Sequence, residues 1–380
     1  MNPTTIPARG GRPPGQLSRR VLNRTLLARQ FLLGRTTLPA LDVLTHLVAM
    51  QAQEPNWPYV GLWTRVAGFR HDELESLLRD RHVVRSTALR STQHLVGAED
   101  FRWLRPLVQP VLDRTARAPY FARETAGLEP AELDALGREL LAGRTLSRQQ
   151  LGARLVERWP GRDGRRLAAA VELRQPMTHQ PATGSWGRWG NPTAISVTLA
   201  EDWLRRPMHA APPMETLVHR YLAAFGPATV ADLQAWSGLT RLREVVDGLR
   251  AGLRVLRDEH DRELFDLPDA PLADPDTPAP VRFLPAFDNV LLGHADRTRV
   301  ISDEHRALVM PGGAMVRPTF LVDGRVRGVW RVAGPALRLS PFGPLARSDR
   351  DAVLAEAGRL HPFVAPPGSA PDIAFDRDDD

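Results

Sequence analysis

Apolar residues recur at helical spacing through the first part of the chain, and the spacing then changes to that of strands. Ser18 precedes a helical pattern that ends at Gly34, and Pro39 opens a second helix that runs to residues 51–55. Two short helices follow. Residues 83–90 and 92–96 then alternate with a period of two and predict adjoining strands. Helices followed by a strand pair indicate a winged helix.

The same order of elements recurs twice. The second copy has predicted helices at 129–143, 147–158 and 162–174, a Gly-rich hairpin or wing at 177–190, and a strand at 194–199. The third copy has predicted helices at 214–225, 228–239 and 240–249, the last capped by Thr240, and strands at 253–257 and 263–267. We therefore expect three winged-helix units in tandem.

A linker rich in Pro and Asp, residues 268–280, separates these units from a β-rich region with an Asp323-Gly324 hairpin turn. The sequence predicts an α+β fold of tandem winged-helix units with a C-terminal β-rich domain. The expected segments are a disordered N terminus at 1–16, winged-helix units at 17–118, 119–208 and 209–270, a barrel-like domain at 281–362, and an acidic tail at 363–380.

Composition restricts the chemistry that the protein can carry out more than it restricts the fold. The 380 residues include no cysteine, which excludes disulfides, thiol nucleophiles and the Cys-ligated zinc of base deaminases. They also include no lysine, so all 50 basic residues are arginine. A Walker-A phosphate loop and Schiff-base chemistry through a side-chain amine are therefore excluded. The net charge of +6 makes nucleic acid a candidate partner.

The chain has no apolar run long enough to span a bilayer, and its first 15 residues are polar and rich in Pro and Gly. We expect a cytoplasmic protein without membrane contact. We also expect a monomer. The spacing of His and acidic residues predicts no metal site, and no cofactor is expected.

Four motifs occur in order along the chain. The first is Gln51-Ala52-Gln53, and the others occupy residues 89–96, 284–297 and 318–324. Together they make the chain similar to the winged-helix DNA glycosylases of the AlkZ/YcaQ type, which carry a Gln-aliphatic-Gln or Gln-aliphatic-Asp motif after an early helix. The resemblance implies duplex DNA with alkylated bases as the partner, bound on a basic concave face. It assigns the catalytic glutamines to Gln51 and Gln53, with Ala52 as an unusually small middle residue.

Two neutral amides are enough to promote hydrolysis of a glycosidic bond when the leaving base carries a positive charge. An N7- or N3-alkylated purine leaves as a neutral base, so a water placed below C1′ needs only a hydrogen-bond acceptor to orient it. Residues i and i+2 share a face only in an extended or turn conformation, and Pro55 favours that conformation. Glu54 is an alternative base. The other interpretation is that both amides satisfy free carbonyls at a helix end.

We expect six residues to contact DNA: Arg85, Arg90, His94, Trp186, Arg188 and Trp189. The arginines could bind phosphates or be solvated, and His94 could approach the sugar or be a satisfied strand histidine. The tryptophans could probe the minor groove as a wing tip or fold back on the core. In the C-terminal region, Asp288 and His294 are expected to hold the domain together, and Asp296 and Arg297 to form an ion pair.

The absence of lysine predicts a monofunctional enzyme, which hydrolyses the N-glycosidic bond without cleaving the strand. Crosslink unhooking is a possible extension of that activity. The alternative function is a non-catalytic winged-helix DNA-binding protein or transcriptional regulator. Such a regulator would carry a dimerisation helix or a ligand pocket, and the sequence indicates neither.

Overall fold

The computed structural model describes residues 16–187 and 194–376. The helices in these ranges are α1 (Arg19–Arg29), α2 (Ala40–His46), α3 (Asn56–Trp63), α4 (His71–Arg79), α5 (Ala98–Leu107), α6 (Gln109–Ala116), α7 (Pro119–Thr125), α8 (Pro130–Leu141), α9 (Arg148–Arg158), α10 (Gly164–Arg174), α11 (Ala200–Leu204), α12 (Met214–Phe225), α13 (Val230–Ser237), α14 (Leu242–Leu249), α15 (Asn289–Leu292), α16 (Asp303–Val309) and α17 (Arg347–Val364). The strands are β1 (Gln16–Leu17), β2 (Ala49–Gln51), β3 (Val83–Thr87), β4 (Gln93–Gly97), β5 (Leu146–Ser147), β6 (Met177–His179), β7 (Ser196–Leu199), β8 (Arg254–Asp258), β9 (Glu263–Asp266), β10 (Arg282–Leu284), β11 (Thr319–Val322), β12 (Arg325–Ala333), β13 (Ala336–Pro341) and β14 (Ile373–Phe375).

The first two predicted units share one six-stranded sheet. Its strand order is β2-β4-β3-β6-β7-β5, so strands of the first unit continue into strands of the second. The junction is the antiparallel pairing of β3 with β6, where Arg85 lies opposite His179. The strands were predicted from the sequence, but this pairing was not, because the two partners are about ninety residues apart and each strand lies in its own predicted hairpin.

The turn between α13 and α14 shows how local chemistry sets the helix ends of the third unit. Gly238 ends α13 with a φ of 80°, a left-handed conformation that costs glycine little. Thr240 was expected to cap α14, but the capping position is Arg241, which has a φ of 61°. The side chain of Gln234 supplies the cap instead, since its Oε1 accepts the Leu242 N–H at 3.0 Å.

The N-terminal segment packs against the third unit. β1 pairs in parallel with β8, and α1 lies beside α12. Arg29 of α1 makes two hydrogen bonds to the carboxylate of Asp266 at 2.7 and 2.8 Å, with both side chains buried. The expected cap is confirmed, since Ser18 Oγ accepts the Val21 N–H at 3.2 Å. Gln16, expected in a disordered N terminus, thus lies in β1, and α1, expected in the first unit, packs on the third unit and also on the Asp323-Gly324 turn, where Asn23 Nδ2 donates to the Gly324 carbonyl at 2.8 Å.

The C-terminal domain is a five-stranded sheet in the order β10-β11-β12-β13-β14, covered by α17. The predicted Asp323-Gly324 turn is confirmed, with φ values of 47° and 73°. Residues 363–380 were expected to form an acidic tail, but β14 pairs in parallel with β13. Asp372 also pairs with Arg338 at 2.6 Å, so the acidic residues neutralise arginines of the sheet. Residues 377–380 lie outside the described part of the chain.

A buried ion pair joins the C-terminal region to the first unit. Both carboxylate oxygens of Asp288 accept hydrogen bonds from Arg65, at 2.8 and 2.9 Å, and neither side chain is exposed by more than 1%. The neighbouring Asn289 donates from Nδ2 to the Ala49 carbonyl at 3.0 Å. The segment after β10 is thus held directly against α3 and β2.

His294 and Asp296, which were also singled out in the sequence, contact different parts of the third unit. His294 Nε2 lies 3.0 Å from the carbonyl oxygen of Phe225, which links it to α12. Asp296 was expected to pair with Arg297, but it pairs with Arg262 at 2.7 Å. A local ion pair was therefore the wrong prediction, because the third unit supplies a better-placed cation.

Residues 16–187 and 194–376 contain no group of three or more His, Asp or Glu side chains placed to hold a metal ion. They also contain no helix with the length and apolarity needed to cross a membrane.

Candidate active site

The Gln51-Ala52-Gln53 motif lies where β2 ends. Gln51 is the last residue of β2, and the hydrogen bonding continues past it because the Ala52 N–H donates to the Gln93 carbonyl at 2.7 Å. Ala52 is fully buried, and Gln53 is exposed in the bend that follows. The motif therefore has the extended or turn geometry that residues i and i+2 need in order to share a face. The amides do not terminate α2, which ends at His46.

The Gln51 carboxamide is fixed by an arginine. Only 8% of Gln51 is exposed, and its Oε1 accepts a hydrogen bond from Arg90 Nη2 at 2.9 Å. The Nη1 of Arg90 donates to the carbonyl of Trp236 in α13, so the third unit helps to hold this side chain. Burial, reinforced by the charge of Arg297, lowers the pKa of Arg90 to about 10, which leaves it charged at neutral pH. Gln51 keeps one lone pair on Oε1 for another donor.

Gln53 is exposed, and its carboxamide contacts the same segment of chain. Its Oε1 accepts the Gln93 N–H at 3.4 Å. Both carboxamides are therefore held by residues 90–93, the turn and first residue that lead into β4. The backbone of this turn is unusual, with φ values of 51° at Arg90 and 58° at Ser91. Such conformations are costly for residues with a Cβ and are often found at functional sites.

Arg85 supports the motif from inside the protein. Its Nε donates to the Ala52 carbonyl at 3.0 Å, and its Nη2 donates to the Gln53 carbonyl at 3.3 Å and to Gln93 Oε1. Its Nη1 donates to His179 Nδ1 at 3.0 Å. All three guanidinium nitrogens thus have partners within the protein, and 4% of the residue is exposed. This placement differs from the phosphate contact that we expected.

His94 is buried beside the motif. It lies opposite Gln51 in the β2–β4 pairing, and 1% of it is exposed. Burial, followed by the nearby charge of Arg90, lowers the pKa of His94 to about 3. The ring is therefore neutral, and its Nδ1–H donates to the Thr92 carbonyl at 2.9 Å. This arrangement corresponds to the satisfied strand histidine that was one of the two interpretations.

Glu54 is the carboxylate nearest to the glutamines in sequence. It is exposed overall, and partial burial of its carboxyl group raises its pKa. A raised pKa makes a carboxylate a somewhat better base at neutral pH. Glu54 therefore stays an alternative proton acceptor beside the motif.

Trp186 is folded back on the core. Its ring stacks on His71 with centroids 4.1 Å apart, and it lies 5.4 Å from Tyr59 and 5.2 Å from Phe363. The Tyr59 hydroxyl donates to the Gly184 carbonyl at 3.0 Å, which fixes the start of the loop. Arg188 and Trp189 lie outside the described residues.

The residues that support the motif from elsewhere in the fold were not predicted from the sequence. Glu172 and His179 of the second unit are hydrogen-bonded to each other. Gln93 contacts both Gln53 and Arg85. Gln93 falls in a quoted motif, so its position next to the strand pair was a usable signal. Nothing in the local pattern around Glu172 distinguishes it from a solvent-facing helix residue.

The chain belongs to the AlkZ-like DNA glycosylase family, whose model, described as DNA glycosylase AlkZ-like, matches residues 44–363. It is similar to the interstrand DNA cross-link repair glycosylase of Streptomyces sahachiroi, with 28% identity over 356 residues that cover 88% of this chain and 93% of that protein. The structure of Streptomyces sahachiroi DNA glycosylase AlkZ matches with a TM-score of 0.76 and 25% identity, covering 95% of this chain and all of that chain. The expected family and α+β fold are confirmed.

Proposed function

We propose that this DNA glycosylase hydrolyses the N-glycosidic bond of cationic N7- or N3-alkylated purines in duplex DNA, and that it also unhooks interstrand crosslinks joined through such purines. The observation that carries the proposal is the pair of neutral carboxamides at the end of β2, where Gln51 accepts from the charged Arg90 and Gln53 accepts from the Gln93 N–H. The crosslink activity is supported by the name of the Streptomyces sahachiroi relative.

The reaction needs little from the protein. The C1′–N bond breaks with its electron pair moving to the base, which cancels the positive charge of the alkylated ring. Water oxygen then bonds to C1′, and the water proton passes to solvent or to Glu54. No general acid is required, because the departing base is already neutral. The two carboxamide oxygens accept hydrogen bonds from the water and orient it.

The neighbouring residues have supporting roles in this proposal. Arg90 fixes the Gln51 carboxamide through Nη2, and its Nη1 donates to the Trp236 carbonyl. Arg85 and His94 hold the motif from inside, since 4% and 1% of them are exposed, and we no longer propose that either binds phosphate. Trp186 packs the loop that leads to Arg188 and Trp189, which stay proposed DNA contacts.

We also propose that the enzyme is monofunctional and acts as a monomer. The chain has no lysine, so no side-chain amine can form a Schiff base with the abasic sugar. The described residues that hold the two carboxamides all come from one chain. A second copy is therefore not needed to build the site.

Release of 7-methylguanine from a methylated duplex tests the proposal. The wild type is expected to release the base, and Gln51→Ala and Gln53→Ala are each expected to release it more slowly. Gln149→Ala is the matched control, because Gln149 is an exposed residue of α9 in the second unit. Duplex binding without base release by the wild type would favour the non-catalytic DNA-binding alternative. Full activity in both motif variants would move the chemistry to other residues.

A further inference from the structure

A chain of buried polar side chains runs from the second unit to the catalytic motif. Arg85, on β3, donates to the carbonyls of both Ala52 and Gln53 and also to His179 Nδ1. His179, on β6, lies 2.9 Å from Glu172 through its Nε2. Arg85, His179 and Glu172 are each at most 4% exposed, so water does not compete for these hydrogen bonds.

Glu172, the member of this series of buried side chains that lies farthest from the motif, accepts several hydrogen bonds. Arg148 donates to both oxygens of Glu172, each at 2.8 Å, and the Thr87 hydroxyl donates to Glu172 Oε1 at 2.7 Å. Burial alone would raise the pKa of Glu172, but His179, Arg148 and Thr87 hold it well below its usual range. Glu172 is therefore ionised and accepts hydrogen bonds from three sides.

The protonation state of His179 follows from its neighbours. Burial lowers the pKa of His179 to about 4, even though Glu172 acts in the opposite direction. A neutral imidazole has one N–H and one lone pair, and a guanidinium can only donate. Nδ1 must then accept from Arg85 while Nε2–H donates to Glu172. The carboxylate thus selects the single tautomer that can receive the arginine.

We propose that Glu172, His179 and Arg85 form a positioning relay that holds the Gln51-Ala52-Gln53 backbone in its reactive geometry. The relay rests on the proposed function. The relay gives the second unit a role in catalysis. In this proposal, none of the three relay residues touches the water or the DNA. The strand pairing of Arg85 with His179 is the point at which the relay crosses between units.

The test compares single-turnover base release by His179→Phe and His179→Asn. Phenylalanine keeps a flat ring but lacks the lone pair, so Arg85 loses its anchor and the motif shifts. Asparagine places Oδ1 near the former Nδ1, so it can still accept from Arg85. We expect a rate loss of about 100-fold for His179→Phe, with the Kd for the lesion duplex unchanged, and a loss of less than about tenfold for His179→Asn. His361→Phe is the control, because it alters a buried histidine of α17 that bonds to the Pro335 carbonyl.

Two results would overturn the relay. The first is His179→Phe releasing base at the rate of the control. The second, which does not require a folded variant, is an ¹⁵N spectrum of the wild type in which neutral His179 carries its proton on Nδ1. A wild type that releases no base would instead refute the proposed function, and the relay with it. The two failures are distinguishable because only failure of the proposed function abolishes base release by the wild type.

Discussion

Replacing Arg90 by methionine separates two roles for this residue. Methionine keeps much of the aliphatic stem but removes both donors, so the Gln51 carboxamide loses its partner at 2.9 Å and the Trp236 carbonyl loses its own. A hydrogen bond to a charged group contributes about 1.5–3 kcal/mol. If that energy serves to orient Gln51, single-turnover base release falls by about 10- to 150-fold, since about 1.4 kcal/mol corresponds to a factor of ten.

The assay measures base release with enzyme in excess over a 7-methylguanine duplex, and it measures Kd separately at several salt concentrations. A positioning role lowers the rate and leaves the salt dependence of Kd unchanged. A phosphate contact would instead weaken binding and reduce the salt slope by about one. An unaltered rate combined with a reduced slope would refute our account of Arg90. Arg347→Met, at the exposed start of α17, is the matched control.

Three further predictions concern the buried ion pair of Arg65 and Asp288, the pH profile and the product. Asp288→Ala leaves Arg65 buried without its partner, so urea unfolding is expected to show a loss of about 3–5 kcal/mol in the free energy of unfolding, against little change for the exposed Asp269→Ala. A loss under about 1 kcal/mol would contradict a structural role for the pair. Burial lowers the pKa of His94 to about 3 and that of His179 to about 4, so both rings stay neutral near physiological pH. The rate of base release is therefore expected to be flat from about pH 8 to about pH 6. An inflection near 6.5, the ordinary histidine pKa, would show that a histidine titrates in the reaction. The abasic product is expected to stay uncut until alkali is added, and strand cleavage at neutral pH would refute the monofunctional assignment.

Local signals predicted the parts of the fold that local chemistry determines. Ser18 caps α1 as expected, and Asp323-Gly324 forms the expected hairpin turn, because each depends on residues within a few positions. The helix that Pro39 opens was expected to run to residues 51–55, but α2 ends at His46 and β2 begins at Ala49. The proposed catalytic motif was located by its resemblance to the family, and an extended or turn geometry followed from the need of residues i and i+2 to share a face.

The supports of the motif could not be predicted in the same way. An arginine on a strand has the same local pattern whether it faces solvent or a second unit, and Arg85 is buried only because β6 pairs with β3. The partner of Asp296 is likewise set by a residue of another unit, Arg262, rather than by its neighbour in sequence. Long-range pairing decides these contacts, and periodicity carries no information about it.

The charge of the leaving base provides the most direct test of the central claim. Identical duplexes with one 7-methylguanine or one 1,N6-ethenoadenine present a cationic and a neutral leaving group to the same two amides. Because the proposed mechanism uses no general acid, we predict release of 7-methylguanine and at least about 100-fold slower release of the neutral base, the factor that acid catalysis usually contributes. Comparable rates for the two bases would show that the protein protonates its leaving group, and would contradict the mechanism assigned to Gln51 and Gln53.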